Sequence, residues 1–279
     1  MKFKTIFLFF NILLIVSFVF ILFMPFFLLG WDYVRIFWRA NWYLAAVFFI
    51  AFMVLNVYFI YNWNLFSLLE KEDWKEIRSH LEARIYEKKR ESRQSVRILI
   101  NTYVVLADTG GLEKLSRYLE EEKSRFFLIF ALELGIPYMI QDDTAALEAY
   151  FLRVVLNPKT RKKNWLRWNL AFARLAGGSG EGRGKAADEL AELTVRTKEP
   201  VLLLLSAYLL DKLPEMRDDA EKLTIAARDT LRKKYTRPGW EKVSRRSKNN
   251  IAVLILSKLM DDAEKWLFGN EESNNDGRV

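Results

Sequence analysis

The chain has no cysteine and one histidine, His80, among its 279 residues. The first absence excludes structural disulfides, thiolate nucleophiles and cysteine-held zinc or iron–sulfur centres. It leaves open on which side of a membrane the chain lies. The second excludes any histidine-rich metal site and leaves His80, between Ser79 and Leu81 on a helix, as the single histidine for general-base work. It reads as a surface or boundary residue. Alternating branched residues bounded by Asn-Gly turns, the mark of a β-hairpin, are also missing. Five of the eight residues from 177 to 184 are glycine, but no Gly-Lys-Ser/Thr ending follows: Ala186 comes after Lys185. Without that ending, and between helices instead of after a strand, the stretch reads as a flexible connection and not as a phosphate cradle.

Charge is missing from two long stretches. Residues 5–30 and 42–63 hold no Asp, Glu, Lys or Arg. At the helical rise the first reaches roughly 39 Å, more than a hydrocarbon core requires, and tilt or a kink near Pro25 takes up the excess. Residues 27–30 lack a small-x-small signal, and the apolar core is too long for a cleaved leader. Asn11, Ser17 and, before the closing Asn62, Asn56 are the polar exceptions, able to bond a neighbouring helix or their own backbone. Trp31, Trp38 and Trp42 at one end and Tyr61 and Trp63 at the other are expected as interfacial anchors. The expectation is a transmembrane hairpin over residues 1–63, with a short extracytoplasmic loop at 31–41. Lys2, Lys4, Lys71, Lys75 and Arg78 at its open end outnumber Arg35 and Arg39 at the turn, which places both termini in the cytoplasm.

Residues 64–268 read as an all-α domain. Asp73, with Glu76 three residues on, opens a helix whose apolar stripe is Trp74, Ile77, Leu81 and Ile85. Further helices follow in pairs, first members starting near 73, 111, 143, 184 and 215. Stops are expected at Gly110 and Gly111, at Gly135 and Pro137, at Asn157 and Pro158, and at Gly177 and Gly178. The last pair is joined by a longer basic connection. This rhythm is that of an α-solenoid of about five antiparallel helix pairs, each unable to bury its apolar face without its neighbours. The segment at 201–210 reads as an inner helix buried on most sides, and Glu133 needs a partner or solvent. Residues 269–279 are polar and expected to be disordered.

Pair length and spacing resemble the tetratricopeptide-repeat superfamily, and two spans before a cytoplasmic repeat domain resemble bacterial membrane-anchored repeat proteins. Trp74 and Ile77 match the repeat's opening aromatic and leucine. Arg78, Leu81 and Arg90 stand where its glycine, tyrosine and alanine belong. The resemblance implies a groove that binds a peptide or partner protein and does no chemistry.

The residues themselves point to surfaces more than to a reaction centre. Asp142 with Asp143, Asp218 with Asp219 and Asp261 with Asp262 read as helix-end charges, so neither metal nor cofactor is expected. Basic clusters stand out from the overall balance of 43 Lys and Arg against 35 Asp and Glu. One holds Lys159, Arg161, Lys162, Lys163 and Arg167 around Trp165 and Trp168. A second holds Arg232, Lys233, Lys234, Arg237, Lys242, Arg245, Arg246 and Lys248 against Glu241, and a third runs through Lys88, Lys89, Arg90, Arg93 and Arg97. Beside an inner membrane their natural partners are anionic lipids or an acidic protein; nucleic acid is not expected, because no binding module accompanies the charge. The expected function is a non-enzymatic, membrane-anchored scaffold or assembly factor, with self-association possible through the spans. The alternative is a lipid- or cofactor-modifying membrane enzyme or an accessory subunit of a membrane complex.

Overall fold

The computed structural model describes residues 3–141, 143–248 and 256–269. Asp142 and all of the expected tail except Gly269 lie outside them. Among the described residues there is no strand, and the chain is all-α. It forms two compact units, Met1–Glu91 and Ser92–Val279. The first therefore takes in more than the apolar hairpin.

In that first unit, α1 (Phe3–Leu29) and α2 (Trp31–Tyr61) are separated by Gly30 alone. Gly30 has φ 79 and ψ 174, a backbone conformation essentially confined to glycine. The segment expected as a loop, 31–41, is not one: residues 31–40 are helical, and helical geometry lapses only at Asn41, with φ −122. Phe7 meets Phe59, Phe18 stacks on Phe48 and Phe26 meets Trp31. The contacts climb one helix as they descend the other, so the hairpin is antiparallel. The amides of Asn11, Asn41 and Asn56 each donate to the carbonyl four residues earlier, so their donors are satisfied within their own helices. Thr5–Met24 and Val34–Tyr61 are long and apolar enough to cross a membrane, and neither window is buried within the protein. The unit closes with α3 (Trp63–Glu70), α4 (Trp74–Glu82) and a π-helical turn at Ala83–Glu87. Asp73 caps α4 as expected, accepting from the Glu76 amide at 3.1 Å.

The second unit runs through α5 (Arg93–Val105), α6 (Thr109–Glu122), α7 (Ser124–Leu134), the short α8 (Ile136–Ile140), α9 (Thr144–Leu156) and α10 (Lys163–Ala176). It continues with α11 (Gly180–Arg196), α12 (Pro200–Asp211), α13 (Ala220–Lys234), α14 (Arg237–Lys248) and α15 (Ser257–Phe268). From α9 to α13 each helix packs on the next, and α10 also touches α12 and α11 also touches α13. This is the connectivity of stacked hairpins, in which each buries the apolar face of its neighbours. Helix α12 lies under α10, α11, α13, α14 and α15, so Val201–Leu205 and Leu209–Leu210 are all buried. Of the five expected pairs, the first, α4 with α5, is divided by the boundary between the units.

Three boundaries differ from expectation. Gly110 and Gly111 lie in the first turn of α6, capped by Asp108, which accepts from the Gly111 amide at 2.8 Å. The glycine-rich stretch is helical from Gly180 onward, capped by Ser179. The long basic connection is itself helix α14, held by the fully buried Trp240.

Candidate functional site

The first basic cluster sits where α9 gives way to α10. Asn157 accepts from the Lys159 amide at 3.0 Å, and the Thr160 hydroxyl donates to the Val154 carbonyl at 2.9 Å. These bonds fix the corner, and Lys159, Arg161 and Lys163 project from it exposed. The other two members are engaged internally. Lys162 Nζ lies 2.6 Å from Glu133 Oε1 in α7, giving Glu133 the partner it needed. Arg167 is bonded to Glu189 and Glu192 of α11. The cluster lacks an acid only in sequence; folding brings the acids from neighbouring helices. Arg167 is therefore a packing residue of the stack, and Lys162 is an exposed residue held by an ion pair.

The second cluster divides in the same way. Arg232 Nε donates to the Leu267 carbonyl at 2.5 Å, and Lys234 Nζ lies 5.5 Å from the Tyr235 ring. Lys233, Arg237, Lys242, Arg245 and Arg246 are exposed, while the side chain of Lys248 lies outside the described residues.

The stacking gathers these clusters on one edge. The antiparallel order is fixed by Arg174 in late α10 with Glu148 in early α9, and by Arg167 in early α10 with the end of α11. Trp165 Nε1 in α10 donates to Glu199 at the start of α12 at 2.9 Å. The ends of α9, α11 and α13 and the starts of α10, α12 and α14 thus share an edge. It presents Lys159, Arg161, Lys163, Lys198, Lys233 and Arg237, with Leu156 and Val195 left 72% and 67% exposed. The opposite edge carries the acidic caps Asp108 and Asp143 and the Arg183–Glu215 pair. The two edges differ: one presents exposed cations beside exposed apolar side chains, and the other carries acidic caps and ion pairs, those of Arg174, Arg183 and Arg217 among them.

Among the described residues no three His, Asp or Glu side chains are placed to hold a metal. Asp143 caps the start of α9, and Arg153 stands near its far end, paired with Glu120 at 2.9 Å. Asp219 bonds Arg217 and has a lowered pKa, first through that bond. His80 is half-buried, and its pKa is lowered first by desolvation and then by the charges of Arg84 and Lys88.

The expected interfacial aromatics also separate. Trp31, Trp42 and Tyr61 are exposed on the hairpin. Trp38 is half-buried with its ring edge-on to Phe37, and Trp63 is half-buried edge-on to Phe7. Tyr61 has company that sequence reading missed. The Arg84 guanidinium carbon lies 5.4 Å from its ring centroid, and Arg90 Nη1 donates to its hydroxyl at 3.1 Å. Arg84 Nη1 also donates to Asn62 Oδ1 at 3.3 Å. A separation of more than twenty residues hides this cluster from local patterning.

Set against known proteins, residues 111–269 match a family model described as "Uncharacterised Treponema protein". The chain is 28% identical over 251 residues to an uncharacterised protein of Treponema pallidum (strain Nichols), covering 86% of this chain and 78% of that one. No solved structure matches.

Proposed function

The chain belongs to the family described as "Uncharacterised Treponema protein", whose model takes in more than half of its length, and we propose that it is a membrane-anchored scaffold that recruits a partner through its helical stack. The hairpin anchors it in the inner membrane, with both termini in the cytoplasm. The repeat is tetratricopeptide-like in spacing, and its partner is a protein with an acidic face.

The basic edge is the observation that supports this reading. A helix start carries partial positive charge, so a cation there opposes the dipole. Helix α10 nevertheless starts at Lys163 and α14 at Arg237, neither with an acid in its first turn. Lys162 just before α10 is in addition left-handed, with φ 56, which is uncommon for a residue with a Cβ. Helix stability does not account for cations at these positions; recognition of an anionic surface does. Leu156 and Val195 beside them offer the apolar contact that such recognition uses.

Crosslinking in native membranes, followed by mass spectrometry, tests the proposal. A stoichiometric protein linked through residues 159–248 is the expected result. Recovery of only lipids and further copies of the chain would overturn it. The triple substitution Lys159→Glu, Arg161→Glu and Lys163→Glu should abolish capture while leaving the helical content unchanged.

A further inference from the structure

The end of the second apolar helix is defined by Tyr61 and Asn62. At that level the first unit assembles cations. Arg84 lies over the Tyr61 ring and reaches Asn62 Oδ1, while Arg90 donates to the Tyr61 hydroxyl. Lys88, between them in sequence, is close enough for its charge to act on His80 together with that of Arg84.

The backbone is arranged to make this happen. An ordinary α-helix spreads residues 84 and 90 around its circumference. Here the π-turn at Ala83–Glu87 widens the helix, and Lys89 takes φ 47. The chain then folds back so that the Arg90 amide bonds the Arg84 carbonyl at 3.1 Å. Both guanidinium groups thereby reach one phenol. Isolated π-turns are uncommon and often accompany functional sites.

Arg84 and Arg90 both hydrogen-bond uncharged groups. Their acceptors are a neutral phenol and a neutral amide. Arg84 Nε is buried and without a hydrogen bond. Two guanidinium groups drawn to one tyrosine repel each other. An anion placed between them offsets that repulsion.

We propose that Arg84 and Arg90, supported by Lys88, hold the headgroup phosphate of an anionic phospholipid at the Tyr61 end of the hairpin. The inference rests on the reading that the hairpin spans a membrane. Phosphate suits the planar, forked donors of arginine, which bind it through paired hydrogen bonds. The depth is right as well: the end of an apolar span meets the headgroup region, where basic residues collect anionic lipid. The Arg84–Tyr61 stack holds one donor group at that depth by cation–π attraction.

The test uses the full chain released in mild detergent with defined lipid. Native mass spectrometry counts the phosphatidylglycerol retained against phosphatidylcholine. The wild type should retain phosphatidylglycerol preferentially. The double variant Arg84→Gln and Arg90→Gln should lower that preference by about tenfold or more, as expected on losing charge-assisted bonds. Lys substitutions at both positions keep the charge but remove the fork and should fall in between. The edge variant Lys159→Gln, Arg161→Gln and Lys163→Gln should keep full preference, and circular dichroism establishes that each variant is folded.

Equal retention of the two lipids by the wild type, or full preference in the folded glutamine variant, would overturn the inference. So would displacement of the phosphatidylglycerol by inorganic phosphate, which would identify a free-anion site. If the glutamine variant instead lost a protein crosslink and kept its lipid, an acidic protein segment would be the occupant. Alkaline carbonate extraction separates this inference from its premise. A chain that stays in the membrane pellet without lipid preference refutes the headgroup site alone; a chain that washes off refutes the anchor.

Discussion

Trp165 in the first turn of α10 donates its indole N–H to Glu199, the residue before α12, at 2.9 Å. The bond joins two helices that start on the same edge of the stack with α11 between them. Trp165 is 5% exposed, but Glu199 lies at the surface, so water can partly take the place of a lost acceptor. Glu199→Ala is expected to lower stability by about 1 kcal/mol, the usual net worth of one hydrogen bond. Glu199→Gln keeps an acceptor oxygen and should fall close to wild type. Denaturant midpoints of the full chain in detergent check both.

Glycine at position 111 is required by a neighbour. A Cβ built there would lie 2.4 Å from Tyr103 Cε1, and Tyr103 is fully buried in α5. Gly111→Ala should therefore cost about 1–3 kcal/mol through forced repacking. Gly184 in α11 is the contrast, because a Cβ there meets nothing within 4 Å. Gly184→Ala should raise stability by about 0.5–1 kcal/mol through helix propensity alone. Thermal unfolding of the two variants should shift in opposite directions.

These two glycines also show where sequence reading stops. The helices themselves were legible: stripes such as Trp74, Ile77, Leu81 and Ile85 repeat at helical spacing, and Val201–Leu210 is too apolar to lie anywhere but inside. Their ends were not. Gly110 and Gly111 look like a stop, but the Asp108 cap before them and the Tyr103 ring against them place them at a start. Residues 31–40 read as a loop because Asp32, Arg35 and Arg39 interrupt the apolar run. One glycine suffices to reverse the chain, so those residues are free to remain helical. The candidate surface was half legible. Composition locates the cations, but only packing reveals that Arg167 and Lys162 are neutralised by Glu189, Glu192 and Glu133 from other helices. The Arg84–Tyr61–Arg90 cluster depends on a π-turn, which no periodicity announces.

Arg167 makes a prediction about acid. The pKa of Glu192 lies below the ordinary carboxylate value, first because Arg167 hydrogen-bonds it. A carboxyl whose folded pKa is depressed binds protons more readily in the unfolded chain. Its stabilising contribution is thus complete above the unfolded value of 4.5 and is lost as pH falls through the lower folded value. Glu192 is partly exposed, with 37% of its side chain accessible, so screening makes the effect modest. Arg167→Gln should cost about 1 kcal/mol at neutral pH and flatten the stability profile below pH ~4.5. Unfolding midpoints measured across that range, wild type against variant, check the slope. Parallel profiles would mean that the pair does not act in solution.

The lack of cysteine makes the proposed topology directly measurable. With no native thiol, any single introduced cysteine reports its own location. Gly30 turns the chain between α1 and α2, so Trp31→Cys sits at the turn end of the hairpin, where the native side chain is 74% exposed. Lys159→Cys sits in the corner between α9 and α10 and is exposed as well. If both termini are cytoplasmic, a membrane-impermeant maleimide added to spheroplasts should label the cysteine at 31 at once and the one at 159 only after lysis. Inverted vesicles should give the reverse. Labelling of position 159 in intact spheroplasts would place the helical stack outside. The modest excess of cations at the open end of the hairpin would then be too weak to have oriented it, and the partner would have to be sought in that other compartment.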